Sequence, residues 1–133
     1  MTHEQTVTDV YAAFQRQDLP AILAHVADDV DWRNDGVASK ECPWNGNFSG
    51  KAQLPGFFKA VGEQLDIQVF DVKAMAASGP YVAVHLRIES RLRKNGRELR
   101  NDSIHFWTFN DRGQIASYRH YNDTAAELAA WRS

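Results

Sequence analysis

The sequence predicts an α+β fold in which helices come first and a curved antiparallel sheet follows and wraps them. Three observations carry this. Apolar residues recur at helical spacing in the N-terminal third and again after residue 53. From Asp66 onward the chain alternates apolar and polar residues between short turns, which is the mark of a meander of strands. The closing hairpin then gathers imidazoles, an indole, a phenol and an amide at alternating positions.

Val7, Val10, Tyr11 and Phe14 share one face of a helix expected over residues 3–17, and Thr2 with Gln5 forms a capping box at its start. Asp18-Leu19-Pro20 opens a second, shorter helix with proline in its first turn. Ile22, Leu23 and Val26 give its buried face, and Asp28-Asp29 end it. Val30 to Asn34 alternates as a strand, and residues 35–50, rich in Gly, Asn, Ser and Pro, read as a loop; its Trp44 is placed to cap a cavity mouth. Leu54, Phe57, Phe58, Val61 and Leu65 restore the helical period, with Pro55-Gly56 marking a start or a kink.

Strands follow over 67–75 and 81–93, the second placing Val82, Val84, Leu86 and Ile88 on one face. Asn95-Gly96 signals a two-residue hairpin turn into a strand that includes residues 103–109. Asn110 to Gly113 turns the chain into a last strand over 115–123; Asp123 with Thr124 reads as the cap of a terminal helix, and Thr124-Ala125-Ala126-Glu127 matches a capping box there.

At 133 residues the chain suits one domain, taken as 1–133, with 44% hydrophobic and 24% charged residues. A net charge of −2 offers no reason to expect nucleic acid or an anionic membrane as partner, and no apolar run approaches membrane-spanning length. Cys42 stands alone and the N-terminus has no apolar signal region, so a reducing, cytoplasmic location is expected. No metal-ligand spacing, nucleophile elbow, dinucleotide fingerprint or phosphate loop is present, so no metal and no cofactor is expected.

The order of elements, together with Tyr11-Ala12-Ala13-Phe14, Ala27-Asp28-Asp29-Val30, Phe48-Ser49-Gly50-Lys51 before Phe57-Phe58, and Phe109-Asn110 with Gly113-Gln114-Ile115 before Tyr121-Asn122-Asp123, resembles the NTF2-like superfamily. The similarity is to its SnoaL-like and ketosteroid-isomerase-like branch. It implies a cone-shaped α+β fold, three N-terminal helices packed in a curved antiparallel sheet. It does not fix a reaction, because isomerases, polyketide cyclases, hydrolases, dehydratases and association domains share that fold. Set against the steroid isomerases, the position of the Asp base resembles Asn34. That of the oxyanion Tyr resembles Val10, with Tyr11 adjacent, and that of the buried Asp resembles His105. Set against the limonene-epoxide-hydrolase-like proteins, Trp32, Asn34, Tyr118 and His120 stand at site positions.

Strand parity puts His105 and Trp107 on one side of their strand, and Tyr118, His120 and Asn122 on one side of the next. His120 and His105 are the catalytic candidates, because imidazole titrates near pH ~6.5; the plain alternative for each is a neutral core histidine satisfied by a tyrosine or a carbonyl. Trp32, Asn34, Tyr118, Asn122 and Phe14 are the substrate-binding candidates, the aromatics as pocket wall and the amides as positioning groups. Arg87 and Glu89 fall on the opposite face if the Asn95-Gly96 turn sets the register. The sequence thus points to a pocket for a small hydrophobic or polycyclic molecule with cofactor-independent acid–base chemistry. The alternative is a non-catalytic ligand-binding or dimerisation domain. A homodimer through the outer sheet face is expected from Phe106 and Tyr121, whose parity is opposite to that of the histidines.

Overall fold

A computed structural model of the chain describes every residue but Ser39, which falls inside the predicted 35–50 loop; the reading of that position lies outside the described residues. The elements are α1 (His3–Gln15), α2 (Leu19–Leu23), β1 (Val26–Asn34), β2 (Gly46–Ser49), α3 (Leu54–Gln64), β3 (Leu65–Ser78), β4 (Tyr81–Leu92), β5 (Glu98–Phe109), β6 (Ile115–Tyr121) and α4 (Thr124–Arg132). One six-stranded sheet holds all the strands in the order β2-β1-β6-β5-β4-β3.

Local chemistry explains most boundaries. Thr2 and Gln5 make the expected capping box, Gln5 N donating to Thr2 Oγ1 at 3.1 Å and Thr2 N to Gln5 Oε1 at 2.8 Å. Asp18 caps α2 ahead of Pro20. That helix stops at Leu23, short of the expected Asp28-Asp29, because His25 and Val26 are already taken by the sheet: Ile115 N donates to His25 O, and Val26 pairs with Ile115. The two aspartates stand exposed within β1, where its register against β6 shifts. The loop after β1 is also shorter than expected, since Gly46–Ser49 pairs with β1 as an edge strand. Pro55 sits in the first turn of α3, which a 3-10 turn at Lys51–Gln53 precedes.

The sheet departs from a purely antiparallel one at a single pairing. β1 and β6 run parallel, with Trp32 beside Tyr118. The meander β3-β4-β5-β6 returns its last strand to the chain's first strand, which joins the two halves of the sheet. Bulges in β3 and between Thr108 and Phe109 bend the strands.

The 93–96 turn carries four residues rather than two. Arg91 pairs with Glu98, and Leu92 N donates to Arg97 O. The register therefore slides so that Val84, not Leu86, faces His105. A slide of two positions keeps every side chain on its expected face. Val82, Val84 and Leu86 are fully buried on the inner face, whereas Arg87 and Glu89 lie on the outer one, in a set of ion pairs with Asp102 and Arg100.

Candidate functional site

The inner face of the sheet carries three chemical bands, because β1, β6, β5 and β4 are registered side by side and alternate cleanly. The first is aromatic: Trp32 stacks on Tyr118 at 4.1 Å, and Trp107 meets Tyr118 at 4.7 Å. The second is imidazole and amide. His105 pairs directly with His120, their rings perpendicular with centroids 4.8 Å apart, and Asn34 lies beside His120. The third is amide and hydroxyl: Asn122 just past β6, Ser103 and Asn101 two and four residues before His105, and Ser90 on β4.

These bands and the helices line a cavity with about 110 Å³ of free space. An apolar cavity of roughly 150 Å³ accepts one benzene ring. All seven residues expected from the sequence line it: His105, His120, Trp32, Asn34, Tyr118, Asn122 and Phe14. Phe14 forms a wall with Phe58 and Phe70, at centroid distances of 6.0 and 5.6 Å, between this cavity and a cleft on the other side bordered by Gln17, Asp18 and Arg93. Trp44 is buried at the cavity too, its ring edge-on to Trp131 of α4 at 5.6 Å.

Hydrogen bonds fix the state of both imidazoles. Trp107 Nε1 donates to Tyr11 OH at 3.2 Å, and an indole N–H has no other role. The one phenolic proton of Tyr11 is left for His105 Nδ1, 2.8 Å away, so Nδ1 accepts and the ring's proton sits on Nε2. Asn34 Nδ2 lies 3.0 Å from His120 Nδ1 and donates to it, which places the second ring's proton on Nε2 as well. Burial pushes the His105 pKa well down, with the neighbouring His120 adding to the effect. Burial lowers His120 to about 4. Both rings are therefore neutral at pH 7, with Nε2–H as their free donor. Burial also raises Tyr11 and Tyr118, so both phenols keep their protons.

Several polar atoms here are shielded and unpartnered: His120 Nε2, Asn34 Oδ1, Trp32 Nε1, Asn101 Nδ2 and Ser103 Oγ. Buried polar groups are normally paired, so a group of orphans on one wall suits a site that completes its hydrogen bonds with a ligand. Among the described residues, no group of three or more His, Cys, Asp or Glu side chains is placed to hold a metal ion.

Sequence reasoning missed Glu127 and placed it in a capping box. Asp123, also read from the sequence as the helix cap, fills that role without it, its carboxylate accepting from Ala126 N at 3.0 Å. Glu127 is 2% exposed and lines the cavity, accepting from Asn122 Nδ2 at 2.9 Å and from Asn45 Nδ2. The available signal was its position four residues before Trp131 and next to Leu128, on the apolar stripe of α4. Ser103 and Asn101 were also missed, although they share the parity of His105 and Trp107.

Comparison with known proteins agrees with this architecture. The profile of the SnoaL-like domain matches residues 7–118. Among curated proteins none matches. Among solved structures, an NTF2-like protein of unknown function from Burkholderia pseudomallei is 25% identical, with a TM-score of 0.88 and 100% of both chains covered. An NTF2-like protein from Burkholderia xenovorans is 28% identical, with a TM-score of 0.86, covering 96% of this chain and 94% of that one. A putative polyketide cyclase from Xanthomonas campestris is 20% identical, with a TM-score of 0.74 over 97% and 96% of the two chains, a likeness of fold.

Proposed function

The chain belongs to the SnoaL-like domain family, and from that premise we propose that it binds a compact, largely apolar molecule bearing an oxygen and acts on it by cofactor-independent acid–base chemistry. The observation that carries this is the pair of neutral imidazoles with Nε2–H donors at one aromatic cavity. A fixed neutral N–H polarises a carbonyl or holds a developing oxyanion without giving up its proton. His105 and His120 thus serve as electrophilic donors in isomerisation, cyclisation, dehydration or hydrolysis. Trp32, Tyr118 and Phe14 hold the apolar body, and Asn34 and Asn122 orient it. The free volume favours one ring; a polycyclic ligand requires the Phe14–Phe58–Phe70 wall to move outward.

The test is an imidazole nitrogen spectrum of ¹⁵N-histidine-labelled protein. Both rings are expected as neutral Nε2–H forms at pH 7, and both Nε2 signals are expected to shift when 4-nitrobenzaldehyde is added. Protonated rings, or shifts absent at both histidines, refute the reading. Ligand binding without turnover is the second reading, favoured by a specific observation: at a pKa of about 4, His120 is a weak base at neutral pH.

The outer face supports a homodimer. Tyr81, Ile104, Phe106 and Tyr121 stand 46%, 39%, 36% and 49% exposed there, and the Tyr81 and Phe106 ring centroids lie 5.5 Å apart. A second copy packing the same face covers them. The lone buried Cys42, its thiol pushed up to about 12 mainly by burial, suits the cytoplasmic setting expected from the sequence. No helix of the described residues is long and apolar enough to cross a membrane.

A further inference from the structure

We infer that Glu127 is the proton acceptor of this cavity: the carboxylate takes a proton from the bound molecule while the imidazole Nε2–H groups hold its oxygen. The inference rests on the reading that the cavity binds a compact oxygen-bearing molecule, and it names a catalytic residue that neither imidazole replaces.

The need for such a residue follows from the hydrogen bonds. The basic nitrogen of His105 is occupied by Tyr11 and that of His120 by Asn34, at 2.8 and 3.0 Å, while the remaining ring nitrogens carry protons. The imidazoles therefore give hydrogen bonds to a ligand and have no free lone pair to receive a proton. Among the described residues that line the cavity, Glu127 is the one carboxylate.

Its surroundings suit that role better than a structural one. Glu127 is 2% exposed, and among the described residues no cation lies within ion-pair distance of it. Burying a carboxylate without a cation is costly, and an apolar or amide side chain avoids that cost. α4 does not need it as an anchor. Arg132 pairs with Glu41, Asn95 Nδ2 donates to Ala130 O at 2.8 Å, Lys94 lies 4.0 Å over the Trp131 ring, and Asp123 caps the helix. What the carboxylate does receive is orientation, since one amide donates to each oxygen and leaves a further lone pair on each. Asn122, which holds it, stands two residues beyond His120, about 7 Å along the strand direction. Donor and acceptor thus border the same cavity.

The test uses 5-nitrobenzisoxazole, a fused bicyclic probe that a carboxylate opens in an apolar site and that the cavity admits as the Phe14–Phe58–Phe70 wall moves outward. Glu127 takes the proton on C3, the C–H electron pair becomes the third bond of the nitrile, and the N–O bond breaks. The phenolate oxygen leaves with that bond's electrons and is held by the Nε2–H groups. The coloured phenolate reports the rate, and quenching of Trp32 and Trp107 fluorescence reports binding. The wild type is expected to outpace acetate at the same concentration. Glu127→Gln is expected to lower kcat by at least about 100-fold with KM little changed. Glu127→Ala is expected to recover rate when formate is added, a rescue that a purely structural carboxylate does not give, and Glu127→Asp to retain part of the activity. A Glu127→Gln protein that binds and turns over like wild type overturns the assignment and leaves the pocket reading standing. Binding by the wild type with no rate above acetate also overturns the assignment. A probe that neither quenches nor reacts overturns the pocket reading, and the assignment with it.

Discussion

His85 and His105 sit on neighbouring strands, one position out of step, and lead different chemical lives. His85 pairs across the sheet with Ile104 and points outward, 45% exposed, with Asp102 at 3.8 Å. His105 pairs with Val84 and points inward, 5% exposed, between a tyrosine and a second imidazole. One residue of parity separates an exposed ion-pair face from a buried cavity wall. The outer face is a surface of exchangeable charges, Arg87, Glu89, Asp102 and Arg100 among them, each pair worth little because water competes. On the inner face the two imidazoles are neutral and each is held in one hydrogen-bonding state.

The sharpest way to break this contrast is to truncate adjacent residues. Leu86→Ala, on the fully buried side, is expected to cost about 2–5 kcal/mol in urea unfolding. Its outward neighbour Arg87→Ala is expected to cost under about 1 kcal/mol despite its ion pairs. Equal losses would mean that the two faces are not energetically distinct.

Acid sharpens it next. His120 has a folded pKa of about 4, against roughly 6.5 when unfolded. Between these values the unfolded chain binds a proton that the folded chain refuses, so stability falls as pH drops through that window. The slope is up to about 1.4 kcal/mol per pH unit and the total about 3 kcal/mol for this ring. His105, also lowered, adds in the same direction. Unfolding at pH 7, 5.5 and 4.5 is expected to show a shallower decline for His120→Gln than for wild type.

For the outer patch, sedimentation of wild type is expected to give a dimer at micromolar concentration. Phe106→Glu is expected to weaken association by about 2 kcal/mol or more; a wild-type monomer removes the proposed partner. Tyr11→Phe, which strands Trp107 Nε1 and His105 Nδ1, is expected to cost about 1–2 kcal/mol. It also frees His105 to change tautomer, visible in the same ¹⁵N spectrum.

Much of this arrangement was legible in the sequence, because alternation is a local property. From Leu99 to Phe109 every second residue is buried, so the faces of His105 and Trp107 could be read without knowing their neighbours. The family resemblance supplied Trp32 and Asn34, which parity within one strand cannot bring to His120. What escaped was non-local or doubly readable. The parallel pairing of β1 with β6 joins residues more than eighty positions apart and leaves no periodic trace. Asp28-Asp29 resembles a helix end, yet the sheet claims the chain before it. Thr124 with Glu127 fits a capping pattern, but Asp123 already does that work, which frees Glu127 to turn inward. Gly36 shows the same long reach. With φ at +137°, it passes so close to Thr124 that an added Cβ would sit 2.5 Å from the threonine methyl, so the start of α4 depends on a residue that reads locally as mere loop.

The four-residue turn between β4 and β5 has a consequence for how relatives of this chain can diverge. Because the turn differs from the expected one by an even number of residues, the strands slid without exchanging faces. Lineages can therefore lengthen or shorten this turn in pairs of residues, shifting which β4 side chain lies opposite His105 while the imidazole stays indoors. A single-residue insertion or deletion has no such freedom: it must be absorbed by a bulge, or it turns the cavity wall inside out. Turn lengths among relatives should accordingly differ by two more often than by one, and odd differences should come with a bulge in one of the two strands.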